Sequence, residues 1–299
     1  MKLSKILLVR KKSTYEIQAL EHQESNFLSL IKQNHESIKV VLKAHEEHSS
    51  SLENIKLVLN QKNINFDLVD RSSINQNISG YDLVISVGGD GTLLDASHYI
   101  HNSIPILGVN SSISSSFGHF CLADSANFKS VLENIEDDKI SPINILRLEL
   151  FINGVSKTDV ILNEVLIAHP NPAATSRYLI SASNDFEEQR SSGVLVTTPA
   201  GSTGTYRACG GGVLPIDCNN YAYLVREPGL RPKEVWHNTG SSLDKRQKVT
   251  IISKMRQAMA YVDGPHLNYP FNLGDEIIIQ PSSKPLCAFI DNKVNEQFN

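Results

Sequence analysis

The sequence is poor in cysteine and has no long hydrophobic run. The four cysteines among its 299 residues show no Cys-x-x-Cys spacing, which argues against a disulfide framework or a zinc site and fits the reduced thiols of a cytosolic protein. No apolar stretch approaches the roughly 20 residues of a membrane span, and the apolar residues 6–9 are too few for a signal peptide. We therefore predict a soluble, cytoplasmic protein.

A strong charge of one sign is also missing. The 28 lysine and arginine residues are balanced by 32 aspartate and glutamate residues, for a formal net charge of −4. Such a balance creates no global field that would attract a polyanion, so neither nucleic acid nor a membrane is expected as a partner. Residues 297–299 do not form a peroxisomal address. The chain is 40% hydrophobic, enough for a sizeable core, and its length predicts about two domains.

Strands and helices are predicted to alternate in residues 1–143. Apolar runs predict strands at 6–9, 66–69, 83–87 and 104–109. Amphipathic stretches predict helices at 24–62 and 92–101, and the serine-rich residues 111–116 predict a flexible loop. The histidines of the first helix, His35, His45 and His48, have no metal-ligating arrangement and are assigned to a solvated helix face. This alternation is typical of an α/β domain built on a parallel sheet.

From residue 144 onward, short strands separated by turn residues replace this alternation. We predict a mainly β domain at 144–285. The apolar residues 286–290 lead us to expect that a C-terminal segment, 286–299, packs back on the first domain. The predicted strands of the second domain cover residues 146–152, 160–168, 178–183, 194–198, 248–254, 259–263 and 276–280.

The most informative stretch is Gly88-Gly89-Asp90-Gly91-Thr92, which follows an apolar strand and opens a helix. Glycines allow positive φ and a close approach of the backbone to a ligand, and the amides at a helix start attract phosphate oxygens. An aspartate between them can accept a proton from an attacking hydroxyl or meet a Mg²⁺-bound phosphate. The stretch therefore predicts a phosphate site with chemistry attached, and the alternative is a tight turn with an N-capping aspartate. The same five residues occur in NAD kinases, in lipid kinases of the diacylglycerol type and in phosphofructokinases.

Three further stretches narrow this choice. They are the run 105–110 followed by Gly118-His119-Phe120, the apolar strand with Asn163-Glu164, and the hydroxyl-rich turn 197–204. In this order and spacing they resemble the NAD kinase family across nearly the whole chain. The resemblance implies transfer of the γ-phosphate of ATP to the 2′-hydroxyl of the adenosine ribose of NAD, with Mg²⁺ carried by ATP and no fixed metal site. It also implies an α/β domain followed by a β domain, a site between them, and a homodimer or homotetramer.

The resemblance also assigns roles to residues of this chain. Asp90 is similar to the general base, with Gly89 and Gly91 giving the phosphates close backbone approach. Asn163 and Glu164 are similar to ribose and base contacts of the dinucleotide, although a buried hydrogen-bonded pair that braces the strand is the structural alternative. The further substrate-binding residues implied are Thr92 of the first turn, Leu122 on an apolar pocket wall, Ser192 and Ser202, and Thr203 and Gly204 at the adenine pocket.

Two departures from the family pattern stand out. Ser192-Gly193 replaces the usual Asp-Gly, and Thr205 replaces the usual tyrosine. Together with the lengthened serine loop and the stretches Gly118-His119-Phe120-Cys121 and Val225-Arg226-Glu227-Pro228, they resemble a plant-like branch that includes kinases preferring NADH. We hypothesise that loss of an acid near the nucleotide relaxes discrimination between NAD⁺ and NADH. The alternatives are a non-catalytic NAD(H)- or NADPH-binding sensor and a diacylglycerol-type lipid kinase. The donor, ATP or polyphosphate, and feedback by NADPH stay open.

Overall fold

The chain forms two compact units. A computed structural model describes residues 1–182 and 185–298, and its contacts group Met1–Ile143 with Cys287–Asp291 and Asn144–Leu286 with Asn292–Asn299. Of the segment 286–299, only 287–291 therefore belongs to the first unit, whereas we expected the whole segment there; Asn299 lies outside the described residues. The remainder belongs to the second unit because the buried Asn295 amide donates to the carbonyls of Pro199 (2.9 Å) and Leu214 (2.7 Å).

A mostly parallel sheet carries the first unit. Its order is β2-β1-β3-β4-β19-β6, with β5 paired to β4, and the β1–β2, β1–β3, β3–β4, β4–β5 and β4–β19 pairs are parallel. Every residue of β3 is buried, as expected for a central strand covered on both faces. These findings confirm the α/β prediction. The strands are β1 (Lys5–Arg10), β2 (Asn65–Asp70), β3 (Leu83–Gly88), β4 (Ile106–Asn110), β5 (Cys121–Asp124), β6 (Ile143–Ile145) and β19 (Leu286–Phe289).

The helical part of the first unit differs from the prediction. The helix predicted at 24–62 is two helices, because Asn34 has a left-handed backbone (φ 48°) and the His35 ring then caps the second helix by accepting from the Ser37 amide (3.3 Å). The assignment of His48 to a solvated face is wrong, since its ring is buried and is hydrogen-bonded to the Ser111 hydroxyl (2.8 Å). The helices are α1 (Ser25–Lys32), α2 (Glu36–Gln61), α3 (Asp90–Ser97) and α4 (Phe128–Glu136), with a π-helical turn at Glu16–Glu21 and a 3₁₀ turn at Arg71–Ser73.

Two antiparallel sheets build the second unit, which confirms its mainly β character. Their orders are β11-β10-β15-β18-β7-β8 and β14-β13-β12-β9-β16-β17, and a cluster of buried side chains from both sheets forms the core. The strands are β7 (Leu148–Ile152), β8 (Val155–Ile161), β9 (Glu164–Ala168), β10 (Ser176–Ser181), β11 (Glu187–Ser191), β12 (Gly193–Thr197), β13 (Tyr221–Arg226), β14 (Gly240–Leu243), β15 (Val249–Ser253), β16 (Ala258–Val262), β17 (Leu267–Phe271) and β18 (Glu276–Pro281); a short α5 spans Thr205–Ala208.

One predicted strand of this unit is wrong in its extent. The run 160–168 is divided between β8 and β9, because the Asp263 carboxylate accepts hydrogen bonds from the backbone amides of residues 162–164 and turns the chain there. Ser183, the end of the strand predicted at 178–183, lies outside the described residues. Among the helices of the described ranges, none combines the length and the apolar composition that crossing a bilayer requires.

Candidate functional site

The glycine turn joins β3 to α3, but not in the conformation predicted from the sequence. Glycines 88, 89 and 91 all have negative or extended φ values, so the expected left-handed backbone is wrong. Gly88 and Gly89 are needed for space: a Cβ on Gly88 would lie 2.1 Å from the Thr92 hydroxyl oxygen, and one on Gly89 would lie 2.3 Å from the Ser116 hydroxyl oxygen. Gly89 is the N-cap and Asp90 the first helical residue, so α3 begins two residues earlier than predicted and ends four earlier.

The Asp90 carboxylate is held in one orientation by the loop that precedes β5. Its Oδ1 accepts from the Phe120 amide (2.8 Å) and its Oδ2 from the His119 amide (3.0 Å). An ionised carboxylate has about four acceptor positions, so each oxygen retains one for a further donor. The neighbouring Cys121 thiol has its pKa raised to about 12 by burial and by the negative charge of Asp90. The thiol is therefore neutral and unreactive, while Asp90 is oriented for use.

Two cations lie beside this turn, and sequence reasoning missed both. Lys11 follows β1, and its amide donates to the carbonyl of Val87 (3.3 Å). Arg71 reaches α3, where its Nη1 lies 3.0 Å from the Asp95 carboxylate and 3.6 Å from the position of a Cβ on Gly91. Burial, and then the charge of Arg71, lower the pKa of Lys11. Positive charge is thus concentrated at the carboxyl edge of the parallel strands, where open α/β sheets bind ligands.

The serine-rich loop is tethered, which contradicts the prediction of a flexible loop. The hydroxyls of Ser112 (2.7 Å) and Ser114 (2.8 Å) both donate to the carboxylate of Glu47 on α2. The Asn110 amide donates to the carbonyl of Ser116 (3.0 Å) and closes the loop from inside. The loop is therefore a fixed wall beside the Asp90 turn.

Leu122, predicted on a pocket wall, is half-buried on β5 and packs against the hydrophobic core of the first unit.

In the second unit, the predicted Asn163-Glu164 pair stands at the start of β9. Asp263 holds the backbone there, its Oδ1 accepting from the amides of Asn163 (2.7 Å) and Glu164 (3.0 Å). Asn163 Oδ1 is buried, without a hydrogen-bond partner among the described residues. Burial, and next the charge of Asp263, raise the pKa of Glu164 to about 7. The carboxylate that braces the strand is therefore Asp263, a residue that the sequence marked only as part of a turn.

Glu164 faces a cavity of about 500 Å³ within the second unit. Ser192 and Thr205, the two departures noted in the sequence, also line this cavity, together with Arg226 and an apolar wall that includes Leu166, Leu195, Tyr261 and Pro265. Asn163, Ser202, Thr203 and Gly204 are not among its lining residues. A cavity of this size, in which polar and charged side chains are set into an apolar wall, is typical of a small-molecule site.

The hydroxyl-rich turn lies outside this lining and is tightly built. The Ser202 hydroxyl donates to the carbonyl of Pro199 (2.7 Å) and accepts from the amide of Leu214 (3.0 Å). A Cβ on Gly201 would lie only 2.3 Å from the carbonyl oxygen of Asn163. Thr203 is half-buried and Gly204 exposed. The turn therefore packs directly against the chain that carries Asn163 and Glu164.

Comparison with known proteins agrees with these features. Residues 6–140 match the family model of the ATP-NAD kinase N-terminal domain. A probable NADH kinase from Oryza sativa subsp. japonica is 33% identical over 272 residues, covering 84% of this chain and 83% of the relative. The chain belongs to the NAD kinase family. This confirms the resemblance drawn from the glycine turn and the three later stretches.

Other members of the NAD kinase family match most of the chain. An NADH kinase from Arabidopsis thaliana is 30% identical over 327 residues, with 99% of this chain and 98% of the relative covered. An NAD kinase from Rickettsia felis is 32% identical over 262 residues, covering 83% and 99%. Two solved structures share the fold: an Archaeoglobus fulgidus NAD kinase in complex with ATP (TM-score 0.69, 19% identity, 98% and 96% covered) and a yeast NADH kinase complexed with NADH (TM-score 0.68, 17% identity, 99% and 86% covered).

Within this family member, the predicted site residues fall into two groups. The first unit holds Gly89, Asp90, Gly91 and Thr92 at one turn, and Leu122 on β5. The second unit holds the remaining candidates, of which Glu164 and Ser192 share one cavity: Asn163, Glu164, Ser192, Ser202, Thr203 and Gly204. The residues that sequence reasoning missed are Lys11, Arg71 and Asp263, and Arg226 was named only within the stretch 225–228, without a role.

Proposed function

We propose that this protein transfers the γ-phosphate of ATP to the 2′-hydroxyl of the adenosine ribose of NAD⁺ or NADH, forming the 2′-phosphorylated dinucleotide. The observation that carries the proposal is the fixed orientation of the Asp90 carboxylate at the start of α3. This carboxylate accepts hydrogen bonds from the backbone amides of His119 and Phe120, and a glycine turn surrounds it. A ribose hydroxyl is a poor nucleophile at neutral pH, and phosphoryl transfer depends mainly on positioning and electrostatic stabilisation. Asp90 accepts the proton of the attacking hydroxyl through one of its remaining acceptor positions.

The residues around Asp90 serve the phosphates of the donor. Gly89 and Gly91 let the backbone approach them, Thr92 contacts the substrate from the same turn, and the positive charges of Lys11 and Arg71 offset the charge of the transferring group. Mg²⁺ enters with ATP as part of the substrate. The oxygen donors that Mg²⁺ prefers are supplied by ATP, water and the carboxylate of Asp90, which fits the residues of this turn.

The dinucleotide is bound by the remaining candidates. Glu164 and Ser192 contact it from the cavity of the second unit, and Asn163 directs its unpartnered buried oxygen toward a ribose or base donor. The other assigned contacts are Leu122, Ser202, Thr203 and Gly204. A cytoplasmic homodimer or homotetramer is part of the same proposal, on the strength of the family alone.

A coupled assay with Mg-ATP and either dinucleotide tests the proposal. Asp90→Asn should lower kcat by roughly 10²- to 10⁴-fold, the usual contribution of a general base, while calorimetry finds dinucleotide binding within about threefold of wild type. Asp137→Asn is the matched control, because that exposed carboxylate pairs with Lys139 (2.8 Å) at the end of α4, and it should leave kcat unchanged.

The outcomes distinguish a kinase from a non-catalytic nucleotide sensor. If the wild-type protein binds dinucleotide but forms no product with ATP or with polyphosphate, the kinase proposal is wrong and a nucleotide sensor takes its place. If Asp90→Asn keeps wild-type turnover, the protein is a kinase whose base lies elsewhere.

A further inference from the structure

The cavity of the second unit contains a charged residue to which no role has been assigned. Arg226 ends β13 opposite Gly193 of β12, and its carbonyl accepts from the Ser192 amide (3.0 Å). Its side chain lines the cavity together with Ser192 and Glu164. The pairing of β12 with β13 thus places Arg226 beside Ser192, the position at which the family usually has an aspartate.

The guanidinium of Arg226 is poorly neutralised within the described part of the chain. Its Nε is buried without a hydrogen-bond partner. Its Nη2 lies 3.9 Å from Glu227, whose side chain is 63% exposed, so that pair is weakened by solvent screening. Glu164, the other acid on the wall, is partly protonated near neutral pH because its pKa is raised to about 7. Glu227 lines the cavity as well, so the guanidinium of Arg226 is opposed there by one solvent-exposed carboxylate and one that is partly protonated.

The wall of the cavity offers apolar surface on which a ring can pack. Leu166, Leu195, Tyr261, Pro170 and Pro265 supply this surface. Thr203 and Gly204, to which the family resemblance assigns the adenine, are not among the lining residues. The second ring of the dinucleotide, nicotinamide, is therefore the group left for this cavity. That ring is a cation in NAD⁺ and uncharged in NADH.

We propose that Arg226 is a specificity-determining residue that favours the uncharged dihydronicotinamide ring of NADH over the cationic ring of NAD⁺. This inference rests on the proposed function in taking a nicotinamide dinucleotide as the ligand and in placing its adenine at Thr203 and Gly204. Two like charges within several ångströms at a partly solvated protein site change an equilibrium constant by roughly tenfold or more. The effect is a difference between two ligands of nearly the same shape, so a purely structural role for Arg226 would not produce it.

Calorimetry of NAD⁺ and NADH binding tests the inference without requiring turnover. Arg226→Gln should lower the ratio of the Kd for NAD⁺ to the Kd for NADH by roughly tenfold, mainly through tighter NAD⁺ binding, and Arg226→Lys should keep the ratio within about threefold of wild type. Ser192→Asp, which adds an acid to the same wall, should lower the ratio as well. Arg231→Gln is the matched control, because this exposed arginine lies outside the cavity lining.

Several results would overturn the inference. Equal weakening of both ligands by Arg226→Gln would mean that the guanidinium binds the pyrophosphate, and an unchanged ratio would mean that it does not face the ring. If Arg226→Gln does not fold, Ser192→Asp decides, and an unchanged ratio there rejects a charge-based preference. A wild-type protein that binds neither dinucleotide also overturns it. Absence of turnover with the predicted binding ratios would reject only the kinase proposal.

Discussion

The raised pKa of Glu164 predicts a measurable pH dependence of stability. Burial and the charge of Asp263 raise the pKa of this carboxyl from 4.5 to about 7. Between those two values, the folded protein retains a proton that the unfolded chain has released, so the free energy of unfolding falls as the pH rises through this window. A shift of about 2.5 units corresponds to about 3.5 kcal/mol at about 1.4 kcal/mol per unit. The loss is complete above the folded pKa.

Glu164→Gln removes the titration while preserving the shape of the side chain. We expect the variant to gain about 2–3 kcal/mol over wild type between pH 5 and pH 8, measured by urea unfolding at each pH. Other titrating groups, such as the buried His48 with its pKa lowered to about 4, contribute equally to both proteins and cancel in the difference. Glu276→Gln, an exposed glutamate on β18, is the matched control and should give a flat difference.

The same experiment can refute the reasoning. If the stability difference between Glu164→Gln and wild type changes by less than about 0.5 kcal/mol from pH 5 to pH 8, burial does not hold the Glu164 proton and its pKa is ordinary. The cavity would then contain a full negative charge at neutral pH. In that case the argument that Arg226 is poorly neutralised would lose one of its supports.

Two further substitutions test how the second unit is built. The Arg147 side chain is fully buried and donates to two backbone carbonyls (2.6 and 3.3 Å). Arg147→Gln should therefore lower the free energy of unfolding in urea by about 3 kcal/mol or more. Its control is Arg246→Gln, at an 84% exposed side chain, which should lower it by less than about 0.5 kcal/mol. Gly201→Ala places a Cβ 2.3 Å from the Asn163 carbonyl oxygen, so it should lower the free energy of unfolding by about 1–3 kcal/mol and weaken dinucleotide binding. Its control is Gly212→Ala, which has open space around the new atom and should change neither quantity. Equal effects within either pair of variants would contradict the packing described.

The clearest sequence patterns belong to strands that are buried on both faces. β1 and β3 lie inside the parallel sheet and read as continuous apolar runs, the expected signal for such positions. The missed strands β11, β14 and β17, and most of β8, are the edges of their sheets, where one side is exposed and polar residues are tolerated. β13 is different, since its apolar run, residues 221–225, carried a usable signal that was overlooked.

Site residues were predictable where they are contiguous. Asp90 and its glycines form one uninterrupted motif, and Asn163-Glu164 form a second. Lys11 and Arg71 are far from that motif in sequence and reach it only because β1 pairs in parallel with β3 and the turn after β2 lies over α3. A rule that lists the residues following each parallel strand would have found Lys11. Arg226 belongs to the stretch 225–228 that resembles the plant-like branch, but no local pattern indicates that it lines a cavity.

The cavity shows why a departure from a family pattern cannot be interpreted from one position. Ser192 removes one acid from the wall, which still carries Glu164 and the exposed Glu227. Glu164 is still present, but burial beside Asp263 keeps its proton in place up to about pH 7. Arg226 then adds a cation whose Nε has no internal partner among the described residues. All three effects shift the charge of the cavity in the same direction, so ligand charge, rather than ligand size, is the property on which this member of the family should discriminate.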